Sequence, residues 1–279
     1  MGSPIQIKKH GISTLFNRYS AEGLLKLNTE IWFVTAFIGQ VIFAAYIIKL
    51  YGGASFRGDW EAWNSFMPHG YQEGRLWSNA IVFLHIFMAG VITIGGPLQL
   101  IPALRKHFPA FHRINGRIYL GVALLTSITG ILINLLNKPL GSQLNANLTA
   151  FNGVLIIVFS YFVYSRAKSS MVSSHRRWGL RLFMAASGVW FFRIGLMFWL
   201  LVNSGPVGFD PETFEGPALT ILNAAQFILP LAFLEMYFRV EKSGRDLPKV
   251  FYSMLLILLT LVTATGIFGA SMMLWFPYF

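Results

Sequence analysis

The chain has 279 residues, 55% of them hydrophobic and only 12% charged, with a mean hydropathy of +0.57 and a net charge of +11. A soluble domain carries about 25% charged residues, so this composition excludes an ordinary water-facing surface and sets most of the chain against lipid. The absence of cysteine excludes disulfides, thiolate metal sites, iron–sulfur clusters and cysteine nucleophiles.

Residues 1–30 hold Lys8, Lys9, Arg18 and Lys26 among short apolar runs. They read as a cytoplasmic N-terminal segment rather than a cleavable signal peptide. Crossing the hydrocarbon core takes about 20 mostly apolar residues. Seven stretches meet that length, at 31–51, 77–103, 115–136, 150–166, 179–203, 217–238 and 250–275. The fold class is therefore all-α, a polytopic transmembrane bundle of about seven helices, with residues 31–279 forming a single unit.

The connections alternate in charge. One side holds the N-terminal cations and three basic loops: Arg105, Lys106, Arg113 and Arg117; Arg166, Lys168, Arg176, Arg177 and Arg181; and Arg239, Lys242, Arg245 and Lys249. The other side holds only Lys49, Arg57, Arg75 and Lys138. The positive-inside rule then places the N-terminus in the cytoplasm and the C-terminus outside. The outer loops differ in kind. Residues 52–76 mix Trp60, Trp63, Phe66 and Tyr71 with Gly and charges, as an interfacial belt or small lid would. Residues 203–217 are acidic and rich in Pro and Gly.

Polar side chains inside lipid are expensive and functional by default. At the rise of a helix, His85 lies about 12 Å inside Trp77, Arg193 about 15 Å inside Asn203, and Gln226 about 14 Å past Pro217. Asn223 sits one turn from Gln226. All three depths fall in the outer half of the membrane. Arg193, in VWFFRIGLMFW, needs an anion or several acceptors, and no acidic residue is expected at its depth. A haem propionate, a carboxylate or a phosphate headgroup would serve, or backbone carbonyls and Gln226 as structural glue. His85 suits a metal or haem iron, a proton shuttle, a quinone oxygen, or a plain bond between helices.

His112 and His175 open helices on the basic side, in HRINGR (112–117) and HRRWGLR (175–181). The echo fits a parallel duplication of two hairpins. With their flanking arginines they face lipid phosphates, or they converge on one cofactor from the third and fifth spans. His10, His69 and His107 lie in loops. Gly95, Gly96 and Pro97 should break and kink the second span, and Glu235 should pair with Arg239 at i,i+4. No phosphate loop, HExxH, GxSxG or DNA-binding motif occurs, so nucleic acid is not an expected partner.

The run GGPLQLIPALRKHFPAFHRINGRIYL (95–120), with a His in the span before it, resembles a family of predicted bacterial membrane proteins, the domain of unknown function numbered 2306. HRRWGLRLFMAASGVWFFR (175–193) is similar to the family's second motif, with Gly179 where a Met is more usual. The likeness covers about residues 77–203 and implies a multi-pass protein of the bacterial inner membrane; the family name supplies no activity. A more distant resemblance, to cytochrome b-561-type bundles, implies b-type haem. Three histidines, His85, His112 and His175, allow at most one bis-His haem, with His112 and His175 as the axial pair. Two functions follow as expectations. One is a haem or quinone-linked electron-transfer protein. The other is a membrane subunit of a larger complex, or a small transporter, that binds an anionic ligand or lipid through Arg193 and Gln226.

Overall fold

The computed structural model describes residues 20–65, 70–136 and 141–278; Lys8, Lys9, His10, Arg18, Phe66, His69 and Lys138 lie outside them. Apart from one bridge between Asp210 and Glu215, the regular elements among the described residues are all helical. Helix α1 (Ala21–Ile47) starts where the Ser20 hydroxyl accepts the Gly23 N–H at 3.0 Å, an N-cap. It therefore begins ten residues ahead of the apolar stretch at 31. It continues through a π-helical turn (Ile48–Gly52) into α2 (Gly53–Arg57) and stops at Gly58, whose φ of +73° suits glycine.

The second span is α3 (Leu76–Leu100), followed by the short α4 (Pro102–His107). The expected break at Pro97 is corrected here, because α3 runs through Pro97 and ends at Ile101. Ile101 is extended, at φ −73° and ψ 112°, because the ring of Pro102 disfavours helical backbone before it. Pro97 is fully buried, and the nearby Gly95 carbonyl accepts the Asn115 side-chain N–H at 3.0 Å. Gly95 and Gly96 let Tyr119 close on α3; a Cβ on Gly96 would stand 3.1 Å from Phe183 and 3.2 Å from Tyr119.

The third and fourth spans are α5 (Pro109–Leu136) and α6 (Gln143–Lys168). The fourth is longer than the apolar run at 150–166 suggests. Ser142 caps it by accepting the Asn145 N–H, and Asn134 donates to the Ala146 carbonyl at 3.2 Å, so its asparagine-rich first turns are held inside the bundle. The fifth span, expected as one helix over 179–203, is two: α7 (Val172–Ala186) and α8 (Gly188–Asn203), bent by 52° at Ser187. The sixth is α9 (Pro217–Glu241). The seventh is α10 (Asp246–Ala270), extended by a π-helical turn, Ser271–Trp275. Six helices are each long and apolar enough to cross a membrane, and the count reaches seven if the bent pair α7/α8 is one span.

The outer surface of the bundle is as apolar as its core, unlike that of a soluble fold. On α1 the exposed stripe is Ile31, Val34, Ile38 and Val41, while Gln40 is buried beside Ala36, Phe43 and Ala44. Only lipid makes such a surface favourable, and small residues and amides are what membrane helices use against each other. Helix α1 packs chiefly on α10, α5 on α3 and α6, α7 on α6, and α8 on α10 and α9.

Ion pairs gather the basic loops at one end. Arg176 binds both carboxylate oxygens of Glu241 at 3.0 and 3.3 Å, and Lys249 lies 3.9 Å from Glu22. Arg181 Nε donates to Glu235 at 2.6 Å. That last contact corrects the expected Glu235–Arg239 pair: Glu235 faces α7 across the bundle, and the partner 54 residues away wins over the one a turn along α9.

Candidate functional site

The bend in the fifth span sits in a layer of buried amides. Gln40 of α1 donates through Nε2 to the Ser187 hydroxyl at 3.0 Å. Asn152 of α6 donates to the Ala185 carbonyl at 3.0 Å, one of the backbone groups beside the break. Gln226 of α9 donates to the carbonyl and side-chain oxygen of Asn223 at 3.0 and 3.3 Å. Glycine at 188 makes this layer fit. A Cβ there would stand 2.8 Å from Asn152 Nδ2 and 3.5 Å from Gln226 Oε1. The Gln40 and Asn152 side-chain oxygens are buried without a donor.

Arg193 lies five residues further along α8, about 7 Å outward. Its guanidinium stands over the Phe43 ring at 5.4 Å, and its charge acts on Tyr51, whose hydroxyl bonds to that of Tyr46. Arg193 makes no ion pair and no hydrogen bond among the described residues. The surrounding wall is aromatic. Trp275 packs on Phe43 at 5.5 Å and Tyr46 at 6.5 Å, and Tyr51 meets Trp63 edge-on at 5.9 Å. Trp63 in turn stacks on Phe83 at 5.9 Å. Trp190 lies on α8 one turn before Arg193, against Gly39. The indole N–H groups of Trp63, Trp190 and Trp275 are all buried without an acceptor. An indole N–H and a guanidinium can only donate. An orphaned buried donor costs about 1–3 kcal/mol, so the three indoles leave this aromatic cluster with donors that its Tyr46 and Tyr51 hydroxyls do not satisfy.

The expected outer layer of His85, Arg193 and Gln226 is thus not one cluster. Gln226 bonds within α9 and faces Gly188, while Arg193 sits in the aromatic chamber. His85 belongs to the α3–α5 interface, where its Nδ1 lies 3.0 Å from the Thr129 hydroxyl. That hydroxyl already donates to the Leu125 carbonyl at 2.9 Å, so it accepts from His85, which fixes the proton on Nδ1 and leaves the lone pair on Nε2. Gly130 gives the ring its space; a Cβ there would be 3.1 Å from Cε1. Thr129→Val keeps the shape and removes the acceptor. It is expected to lower stability by about 1–3 kcal/mol and to release the tautomer, which thermal unfolding and nitrogen NMR of the His85 ring would show.

His112 and His175 are at the basic end, close enough for their charges to interact. His175 Nδ1 donates to the Val163 carbonyl at 3.0 Å, which orients the ring and leaves the Nε2 lone pair available. His112 lacks the counterpart, because its Nδ1 is buried without a partner. Its carbonyl accepts from Gln99 at 3.1 Å. Thr129 lies 17 residues beyond His112 on α5, about 25 Å along the axis, so His85 and the pair form separate sites.

Sequence reading missed Gln40, Asn152 and the inward turn of Trp63. Gln40 and Asn152 carry the same signal that picked out Gln226, an amide inside an apolar span. Trp63 gave none, since a loop tryptophan reads equally as an interfacial anchor. No curated protein and no solved structure matches the chain. Residues 82–227 match the family described as "Predicted membrane protein (DUF2306)", which takes in Asn152, Gly188 and Gln226 of the amide layer but not Gln40, together with Arg193, both histidine motifs and His85. That match spans just over half of the chain, which therefore belongs to the DUF2306 family of membrane proteins.

Proposed function

We propose that this multi-pass membrane protein binds an amphiphilic ligand with an anionic, oxygen-rich head, held by Arg193, as a binding subunit or a small transporter. The observation that carries the reading is the buried indole N–H groups of Trp63, Trp190 and Trp275, which have no acceptor, beside the half-buried guanidinium of Arg193, which pairs with no carboxylate among the described residues. One carboxylate or phosphate head offers several lone pairs to such a set and balances the uncompensated cation. Arg193 keeps part of its surface open, so a head group meets the guanidinium first, and the buried indoles of Trp63, Trp190 and Trp275 reach it as the surrounding side chains shift. Beneath it, the side-chain oxygens of Gln40 and Asn152 suit a hydroxyl or amine on the same ligand or an ordered water.

A second reading rests on His175. Its fixed tautomer suits an axial ligand, with His112 opposite, and a haem held there would supply one-electron chemistry. The fit is partial. Arg176 and Arg181 already bind Glu241 and Glu235 rather than standing ready for propionates, and the His112 Nδ1 has no acceptor to orient its ring. A quinone, whose carbonyls also accept, is the neutral counterpart for the Arg193 chamber.

One preparation tests these readings. The full chain is purified in mild detergent, its retained molecules are extracted and identified by mass spectrometry, and its absorption spectrum is recorded. An acidic amphiphile retained in about equimolar amount is the expected result. A retained quinone would replace the anion with a neutral acceptor. A Soret band with stoichiometric iron would move the function to His112 and His175. An empty protein that binds no added fatty acid or anionic lipid would sink the Arg193 reading.

A further inference from the structure

A cavity of about 470 Å³ opens at the start of α7, at the basic end and far from Arg193, lined among others by Ser173, Ser174, Arg177, Trp178 and Arg181. Three arginines stand on this helix, and the structure treats them differently. Arg176 is neutralised by Glu241 and Arg181 by Glu235. Arg177 has no carboxylate among the described residues. Its guanidinium lies 4.5 Å from the Phe238 ring centroid, and its Nε is buried without an acceptor. The aromatic ring holds the cation in place without discharging it. The same cavity receives the first turn of α7, a helix of 15 residues whose N-cap, Met171, offers no side-chain bond. Val172 N–H reaches the Ser170 carbonyl and His175 N–H the Met171 carbonyl. The amides of Ser173 and Ser174 find no acceptor among the described residues.

We propose that this cavity is a binding site for a phosphate group, with Arg177 supplying the uncompensated charge and Ser173 and Ser174 supplying amide and hydroxyl donors. Glu235 keeps Arg181 engaged, so the affinity rests on Arg177. Trp178, stacked on Phe162 at 4.3 Å and under the Arg181 guanidinium at 4.5 Å, gives the cavity an apolar flank. That flank suits the glycerol and upper acyl chain of a phospholipid. The phosphate can come from an anionic lipid headgroup or from a soluble phosphate compound.

The test uses the full-length protein in nanodiscs that mix phosphatidylglycerol with phosphatidylcholine, followed by release into detergent and native mass spectrometry. Wild type should retain phosphatidylglycerol about tenfold over phosphatidylcholine, the scale of one hydrogen-bonded charge. Arg177→Gln should lose the preference. Ser174→Asp should lose it too while keeping the fold, because a carboxylate in the first turn stabilises the helix and occupies the site with negative charge. Arg105→Gln, an exposed change outside the cavity, should bind as wild type does. Displacement of the lipid by excess inorganic phosphate would assign the site to phosphate from either source, and retention against it would assign the lipid headgroup. The proposal falls if wild type shows no preference and phosphate does not raise its unfolding temperature. It also falls if Arg105→Gln loses as much as Arg177→Gln, since the attraction would then belong to the whole basic end.

Discussion

Arg193→Leu is expected to weaken retention of the anionic amphiphile by at least ~30-fold while leaving the unfolding temperature of the ligand-free protein unchanged or higher. The two readouts move in opposite senses for a physical reason. Truncating one partner of a desolvated charge pair costs about 2–5 kcal/mol of binding. The free protein, by contrast, holds an unpaired cation in an apolar layer, and removing it relieves a cost. Phe43 loses a cation over its face, worth about 0.5–1 kcal/mol, and gains an aliphatic neighbour. If Arg193 were structural glue, the same change would break bonds to backbone carbonyls or Gln226 and lower the unfolding temperature. Gln226 is engaged with Asn223 instead, and no such bonds to Arg193 occur among the described residues. Trp275→Phe extends the test, since it keeps most of the ring packing against Phe43 and removes one donor. Its expected loss is about fivefold, one neutral hydrogen bond. Equal binding by wild type and Arg193→Leu would end the assignment of the chamber.

Gly266→Ala should cost about 1–3 kcal/mol of stability, the usual scale of overpacking, and should also disturb the Arg193 chamber. A Cβ on Gly266 runs into the backbone carbonyl of Ile194 on α8. A backbone atom has no rotamer to escape into, so α10 and α8 must move apart. Gly269 repeats the pattern one turn on, where a Cβ would stand 2.7 Å from Leu201 and 3.2 Å from Met197. Ile194 is the neighbour of Arg193 in sequence, so the displacement reaches the guanidinium directly. Gly121→Ala is the control, because nothing lies within 4 Å of the added carbon. It should be neutral or stabilising by up to about 1 kcal/mol through helix propensity. Unfolding of both variants in detergent, followed by circular dichroism, checks the contrast. Equal stability of the two would show that the α8–α10 contact is looser than the backbone approach indicates.

The six unbroken spans were legible because apolar length needs no partner to be read. The gathering of the basic loops at one end was legible in the same way, from charge alone. What escaped the sequence was whatever depended on a neighbouring helix. The bend at Ser187 is an example. VWFFRIGLMFW and the residues before it are continuous in hydropathy, and the break becomes intelligible only when Asn152 and Gln226 are seen pressing on Gly188. Pro97 misled in the opposite direction. Its ring suggests a break, but α3 carries it through, and the stop comes at Ile101, where the following Pro102 acts. Glu235 paired with Arg181 rather than Arg239 for the same kind of reason, since helix packing outranks spacing along one helix. At the chamber, Arg193 stood out from sequence because a charge in lipid is conspicuous, whereas three tryptophans among many aromatics were not.

The jointed fifth span also ties this protein to the thickness of the bilayer it occupies. Helix α8 has 16 residues, about 24 Å of rise, which falls short of a hydrocarbon core of about 30 Å. The last turn of α7, buried from Leu182 to Ala185, must make up the difference across the bend. In a thinner membrane α8 nearly suffices by itself. In a thicker one the joint must straighten to reach the basic end, and the amides packed on Gly188 must follow. Lipid composition therefore acts mechanically on the layer beneath Arg193.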